Sequence, residues 1–159
     1  MKNTILISKD FREFAELLEK NGVKYLIIGG FAVNFHGYPR YTKDIDIWIM
    51  IGEANIHKLL SALNGFGFGS LGLKAEDFFN TENIVQLGYE PNRIDLLVSV
   101  DGLNFDEAYA KKNVYEIDGV KLNFLSIDDL ITAKDTSARP QDLADSDFLK
   151  KLKEKSKKK

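Results

Sequence analysis

The chain contains no cysteine, and this absence excludes disulfide bonds, thiolate metal sites and cysteine nucleophiles. Histidine is scarce, with two residues, so a histidine-rich zinc site is not expected either. No run approaches the roughly 18 consecutive apolar residues that a transmembrane helix needs. Near the N-terminus only Ile5, Leu6 and Ile7 are apolar in succession, which is too short for a signal peptide. We therefore predict a cytoplasmic protein with no membrane segment.

The net charge of −2 conceals an uneven distribution of charge along the chain. Residues 150–159 carry seven lysines and one glutamate; removing them from the totals of 22 basic and 24 acidic residues leaves 15 and 23, a net charge of −8. An acidic body argues against broad, sequence-independent binding of nucleic acid by the fold. The length favours one domain with its own core, which we place at residues 1–149, followed by a basic tail at 150–159.

Helical and strand-like spacings of apolar residues alternate along the chain, which predicts one α/β domain with a mixed β-sheet flanked by helices. The C-terminal part of this core is predicted to contain a hairpin at 115–124, built around Asp118-Gly119, and then two helices. Ser126 is suited to cap the first of these helices and Pro140 to begin the second. The predicted helices are 8–20, 31–36, 53–63, 105–110, 126–136 and 140–152, and the other predicted strands are 23–28, 45–51, 83–89 and 93–100.

Three aspartates lie on predicted strands. Asp44 and Asp46 are two residues apart on one strand, so both carboxylates project from the same face. Asp95 lies on another strand, whose opposite face is apolar. Carboxylates on a sheet are costly to bury without cations. Together the three predict a site for hard divalent cations such as Mg²⁺, which prefer oxygen ligands.

Gly29 and Gly30 stand between a predicted strand and a predicted helix. Because they have no side chains, the backbone can approach a phosphate closely there, and the beginning of the helix offers free N–H groups. An anion-binding turn beside a carboxylate cluster suits the binding of a nucleoside triphosphate with its metal ions.

In these residues the sequence resembles the nucleotidyltransferase superfamily related to DNA polymerase beta. The signature of that superfamily is a Gly-Gly or Gly-Ser pair, followed by Asp-x-Asp or Asp-x-Glu and by a third acidic residue on a later strand. Here the Gly-Gly pair at 29–30, Asp-Ile-Asp at 44–46 and Asp95 match the pattern. On the stretches 30–37 and 139–145 the chain is similar to the small bacterial minimal nucleotidyltransferases and the AbiEii-type toxins.

The resemblance implies that Asp44 and Asp46 bind two Mg²⁺ ions, with Mn²⁺ as an alternative, and that Asp95 completes the catalytic metal site. It also implies that Asp95 accepts the proton of the incoming hydroxyl, directly or through water. The implied reaction transfers a nucleoside monophosphate from a nucleoside triphosphate to a hydroxyl acceptor and releases pyrophosphate. The hydroxyl acceptor could be a small molecule, an RNA or a protein, and all three remain alternatives.

Basic residues near these motifs are candidates for contacting the triphosphate. Arg40 and Lys43 precede the Asp-x-Asp motif, with a solvated loop as the alternative. The resemblance places Lys134 and Arg139 near the triphosphate, and Arg139 is equally suited to a salt bridge with an aspartate of the last helix. Arg93 shares the face of the third aspartate, as a partner either for the carboxylates or for the substrate.

A second hypothesis is a catalytically weak binding or regulatory module with the same fold, such as one component of a toxin–antitoxin pair. The sequence has no obvious separate domain for binding an acceptor. We therefore expect either a homodimer that builds the acceptor site between its subunits or a partner protein that supplies it.

Overall fold

One mixed β-sheet organises the structure, a computed structural model that describes residues 9–37, 44–67, 72–88 and 93–157. The strands are β1 (Tyr25–Ile28), β2 (Asp44–Ile49), β3 (Ile84–Leu87), β4 (Arg93–Leu97), β5 (Asn113–Ile117) and β6 (Val120–Phe124). The helices are α1 (Lys9–Lys20), α2 (Gly29–Phe35), α3 (Glu53–Gly65), α4 (Phe105–Ala110), α5 (Ile127–Ser137) and α6 (Pro140–Lys157), with a 3-10 helix at Ala75–Phe78. The strands lie in the order β3-β4-β2-β1-β6-β5.

Parallel and antiparallel pairs alternate across the sheet. β2 is parallel to β4 and β1 is parallel to β6, whereas the other three neighbouring pairs are antiparallel. Strands β5 and β6 form the C-terminal hairpin, with Asp118 and Gly119 in its turn, and α5 and α6 follow. The Ser126 hydroxyl accepts a hydrogen bond from the Asp129 backbone N–H at 3.2 Å and caps α5. The predicted mixed α/β fold, with its hairpin and two final helices, is confirmed.

The strands that carry the aspartates are fixed by a well-packed core. Ile47 and Ile49 project from the face of β2 opposite to Asp46 and are fully buried. Helix α1 packs against both α3 and β6. Burying an apolar side chain of this size contributes about 1.5–3 kcal/mol, so the core stabilises the strands that carry the aspartates. The largest fully buried side chains include Phe11, Phe14, Phe78, Phe124, Leu18, Leu26 and Ile27.

Helix α2 begins two residues earlier than the pattern predicts. Ile28 is extended, with φ −127° and ψ −171°, and Gly29 follows it with φ +72° as the first residue of the helix. The chain therefore passes from β1 into α2 without an intervening turn. The Gly-Gly pair, predicted as a turn before the helix, is instead the first part of the helix, and a positive φ at Gly29 makes this possible.

Two strands end earlier in the structure than the sequence pattern predicts. β2 ends at Ile49 and β4 at Leu97, whereas alternation of apolar residues continues to residues 51 and 100. The last register pair between these strands is Trp48 with Leu97. Alternation reports which face a residue occupies, but only a neighbouring strand makes the segment part of a sheet.

The last helix continues beyond its predicted end at residue 152, and runs to Lys157. The apolar pattern stops at Leu152, but lysine is a good helix former, so the helix continues without it. Lys150 Nζ lies 3.0 Å from Asp135 of α5, and Lys153 pairs with Asp128 of the same helix. Residues 150–157 thus continue α6. None of the described helices combines the length and apolarity needed to cross a membrane.

Candidate active site

The parallel pairing of β2 with β4 brings the three aspartates together. In the register, Asp46 lies opposite Asp95, and Asp44 lies opposite Arg93. One carboxylate oxygen from each of the three aspartates lies within 4.8 Å of the others. Three hard oxygen donors at this spacing fit a divalent cation such as Mg²⁺ or Mn²⁺. These three are the residues that the sequence predicts as metal ligands.

Asp46 is the central carboxylate of this cluster. Burial, together with the negative charges of Asp44 and Asp95, raises its pKa to about 7, while the positive charges of Lys134 and Arg93 act in the opposite direction. A carboxylate in this environment is costly to ionise without a cation beside it. The surroundings of Asp46 therefore favour the arrival of positive charge, either a proton or a metal ion.

Arg93 supplies positive charge to the other two carboxylates. Its Nη2 donates to Asp44 Oδ2 at 2.8 Å and to Asp95 Oδ2 at 3.0 Å, and its Nε donates to Asp95 Oδ1 at 2.8 Å. Charge-assisted bonds of this kind are among the strong hydrogen bonds of proteins. Of the two partners that the sequence allowed for Arg93, the structure shows the carboxylate cluster.

Gly29 lies directly against the carboxylate of Asp46. A Cβ atom added to Gly29 would stand 2.3 Å from Asp46 Oδ2, well inside contact distance. The positive φ of Gly29 also disfavours any other residue. Glycine is therefore required at this position both by the backbone and by the approach of the metal-ligand candidate. Gly29 and Gly30 line the same cleft as the three aspartates.

The opposite wall of the cleft is formed by α5 and α6. Lys134 projects from α5 and places its Nζ 3.1 Å from Asp142 Oδ1 and 3.1 Å from Asp145 Oδ2, both on α6. The two aspartates are almost fully buried, and the lysine side chain is 11% exposed. Lys134 therefore joins the two helices, in addition to facing Asp46 across the cleft.

Asp142 is the centre of the network at this helix junction. It accepts hydrogen bonds from Arg139 Nε at 2.6 Å, from Ser137 Oγ at 2.7 Å and from Lys134 Nζ at 3.1 Å. Although burial acts to raise it, these bonds lower the pKa of Asp142 to about 2. The salt bridge between Arg139 and Asp142 is the alternative that the sequence left open for Arg139. The other two predicted phosphate contacts, Arg40 and Lys43, lie outside the described residues.

A sequence comparison identifies the family to which the chain belongs. A family model described as "Nucleotidyl transferase of unknown function (DUF2204)" matches residues 7–159. The chain belongs to this family. Among solved structures, this nucleotidyltransferase family member is similar to an antigenic nucleotidyltransferase-like protein from Paracoccidioides brasiliensis, with 17% identity, a TM-score of 0.49, and coverage of 90% of this chain and 77% of that one. No curated protein sequence matches it.

The cleft of this nucleotidyltransferase family member has a volume of about 800 Å³ and includes residues that the sequence did not single out. Ser137 donates a hydrogen bond to Asp142, and Gln141 donates one to Asp145. Ile84 and Leu97 form an apolar part of the lining. The position of Ile84 depends on the pairing of β3 with β4, which no local pattern in the sequence reveals.

Proposed function

We propose that the protein is a metal-dependent nucleotidyltransferase that transfers a nucleoside monophosphate from a nucleoside triphosphate to a hydroxyl group. The acceptor oxygen forms a bond to the α-phosphorus, the bond from that phosphorus to the bridging oxygen breaks, and pyrophosphate leaves with the electron pair. One observation carries the proposal: the three carboxylates of Asp44, Asp46 and Asp95 meet within 4.8 Å at the floor of a cleft that Gly29 and Gly30 also line.

Asp44, Asp46 and Asp95 are the residues that would hold the metal ions, Mg²⁺ or Mn²⁺, because their oxygens form a compact set of hard donors. Bound divalent ions supply positive charge that neutralises the phosphate oxygens during transfer. Asp95 is in addition our candidate for the group that accepts the proton of the acceptor hydroxyl, directly or through water.

The remaining residues of the proposed site orient the triphosphate. Gly29 and Gly30 leave the backbone open to the β- and γ-phosphates. Lys134 and Arg139 line the opposite wall and add positive charge there, although both are also paired with aspartates of α6. With few reacting groups in the site, catalysis would consist mainly of positioning and of charge neutralisation.

Nucleotide binding is tested by the melting temperature in MgCl₂ with each of the four ribonucleoside triphosphates in turn. We expect at least one nucleotide to raise the melting temperature, because a ligand that binds only the folded state stabilises it. Asp44→Asn and Asp46→Asn should remove this shift. Asp101→Asn, which changes an exposed carboxylate in a turn, should retain it. If no nucleotide raises the melting temperature at millimolar concentration, the proposal is wrong.

The acceptor and any partner are further parts of this proposal. The acidic body and the ion-paired lysines at residues 150 and 153 weaken the argument for an RNA acceptor. A homodimer, or a toxin–antitoxin partner, would complete the acceptor site. Light scattering on the purified chain gives its mass in solution, and a dimer whose dissociation abolishes transfer would support the first of these arrangements.

A further inference from the structure

The in-line geometry of the reaction distinguishes two sides of the cleft. In an in-line displacement, the attacking oxygen approaches the phosphorus from the side opposite to the leaving group. Under the proposed function, on which this inference rests, the leaving pyrophosphate lies at Gly29 and Gly30, next to the end of β1. The acceptor hydroxyl must then arrive from the side of β4 and β3, since the strands follow one another in the order β1, β2, β4, β3.

The surface on that side of the carboxylates carries Gln86, the register partner of Asp95, and next to it on the same face an apolar pair. Ile84 and Leu97 are register partners on β3 and β4, and both line the cleft. Leu97 follows Asp95 by two residues and therefore projects from the same face of β4. Ile84 is 57% exposed, and none of the other exposed large apolar side chains in the described residues is more exposed. An isoleucine so exposed, two residues along β3 from the register partner of a buried carboxylate, is a surface that a ligand can cover.

The charges of the cleft are distributed unevenly between its two sides. Among the described residues that line it, the basic side chains Lys134 and Arg139 are both on the wall formed by α5 and α6. The lining contributed by β3 and the end of β4 is Ile84 and Leu97. Arg93 of β4 is also on this side, but its guanidinium is bonded to Asp44 and Asp95. Among the described lining residues of β3 and β4, an acceptor with many phosphates would find no further basic side chain, whereas an apolar ring or chain would bury surface against Ile84 and Leu97.

We infer that the acceptor carries its reactive hydroxyl on an aromatic or aliphatic group, and that this group packs on Ile84 and Leu97 while the hydroxyl reaches the α-phosphorus beside Asp95. The proton of the hydroxyl passes to Asp95 or to water, and the oxygen–phosphorus bond replaces the bond to pyrophosphate. This surface selects for acceptors by the apolar group next to the hydroxyl, and it leaves the choice of nucleotide to the other side of the cleft.

A binding experiment tests the inference without requiring turnover. The protein is labelled with ¹³C at the isoleucine δ1 methyl groups and titrated with 2-phenylethanol or, separately, with glycerol. We expect 2-phenylethanol to shift the Ile84 methyl signal saturably and glycerol to leave it in place. Ile51 provides an internal control, since it is 41% exposed and lies outside the cleft lining. Equal shifts at Ile84 and Ile51, or an equal response to glycerol, would overturn the inference.

A transfer experiment then separates the inference from the proposed function. With Mg²⁺ and the nucleotide that stabilises the protein, kcat/KM should be higher for 2-phenylethanol than for glycerol. Ile84→Ser should lower the value for 2-phenylethanol about tenfold, as the loss of an apolar contact predicts. Val114→Ser changes an apolar residue of similar exposure, 47%, on the other edge strand, and should leave the value unchanged.

Failure of the proposed function and failure of the inference about the acceptor would give different results. If the wild type shows no stabilisation by any nucleotide, the proposed function fails. If nucleotide stabilisation is intact in both the wild type and Ile84→Ser, but glycerol is as good an acceptor as 2-phenylethanol, only the apolar acceptor is excluded. Equal losses in Ile84→Ser and Val114→Ser would also exclude it, because the effect would then come from the edge strands in general.

Discussion

Arg93 Nη2 lies 2.8 Å from Asp44 Oδ2, and these two residues face each other across the parallel pair of β2 and β4. The same guanidinium also donates to both oxygens of Asp95. Arg93 therefore neutralises two of the three carboxylates that are proposed to hold metal ions. Arg93 bonds both oxygens of Asp95 and one of Asp44, so a metal ion held by these carboxylates would share oxygens with it, and we expect the binding of one to weaken the contacts of the other.

The competition between Arg93 and the metal gives the first prediction. Arg93→Met should destabilise the metal-free protein by about 1.5–3 kcal/mol, because clustered carboxylates lose their charged hydrogen bonds. The same substitution should enlarge the rise in melting temperature on adding Mg²⁺, since no arginine then occupies the carboxylate oxygens. Calorimetry with and without MgCl₂ measures both effects.

Arg12→Met is the matched control for this prediction. Arg12 pairs with Glu16 on the surface of α1, where both side chains are about half exposed. Such a pair contributes little, so neither the stability nor the response to Mg²⁺ should change appreciably. A response to Mg²⁺ in Arg93→Met that is no larger than that of the wild type would contradict the competition.

The raised pKa of Asp46 predicts how stability depends on pH in the absence of metal. The pKa is about 7 in the folded state against 3.8 as the ordinary value, so between these values the folded protein binds a proton that the unfolded chain does not. The contribution of Asp46 to stability is therefore present at low pH and is lost as the pH rises through about 7. Asp46→Asn should stabilise the metal-free protein above pH 7 by about 1–3 kcal/mol, with little effect near pH 4.

Urea unfolding in EDTA at a series of pH values measures this effect. Asp101→Asn is the control, because that carboxylate is exposed and should give no comparable gain. In the wild type, affinity for Mg²⁺ should increase as the pH rises towards 8, since metal binding requires the ionised carboxylate. A wild type whose metal-free stability stays constant between pH 5 and 8 would contradict the assignment.

The sequence predicts which side chains share a face but not which strands are neighbours. Alternation along residues 44–50 and 93–99 was sufficient to place Asp44 with Asp46, and Asp95 with Arg93. The convergence of the two sets depends on the parallel register of β2 with β4, which is a tertiary contact between segments far apart in the chain. The family signature supplied that information, since it relates the third acidic residue to the first two.

Other features of the site have no local signal at all. Ile84 belongs to a short strand in which its exposure follows from the edge position of β3, and the sequence pattern alone gave no reason to connect it with Asp95. The close approach of Gly29 to Asp46 likewise depends on how β1 leads into α2. In contrast, the pairing of Arg139 with Asp142 spans one helical turn and could be foreseen from spacing.

We expect Gly29→Ala to abolish metal binding through a steric effect. The new methyl group would stand 2.3 Å from Asp46 Oδ2, so the carboxylate must move out of the cluster. Gly119→Ala provides a matched control, because its φ of +80° is similar and nothing lies within 4 Å of the added Cβ. Both variants should lose about 1–2 kcal/mol to backbone strain, but only Gly29→Ala should also lose the response of the melting temperature to Mg²⁺. Equal responses to Mg²⁺ in the two variants would mean that Asp46 is not a ligand.

Lys134 is predicted to be a structural residue of the α5–α6 wall, whether or not it also contacts a nucleotide. Its ammonium group is the shared partner of Asp142 and Asp145, and its side chain is only 11% exposed. Lys134→Met should therefore destabilise the protein by about 3–5 kcal/mol, because it leaves buried carboxylates without their cation. Urea unfolding measures this loss. Lys150→Met should cost less than about 1 kcal/mol, since Lys150 pairs with Asp135 at the surface and its side chain is 55% exposed.

A double substitution distinguishes the structural role from a role in substrate binding alone. Asp145→Asn removes one of the two buried charges, so adding Lys134→Met to it should cost less than Lys134→Met costs in the wild type. The coupling arises because the lysine and the aspartate compensate each other in a buried position, where an unpaired charge is expensive. If Lys134 served only the triphosphate, Lys134→Met would weaken nucleotide binding while leaving the free energy of unfolding close to that of the wild type, and the two substitutions would be additive.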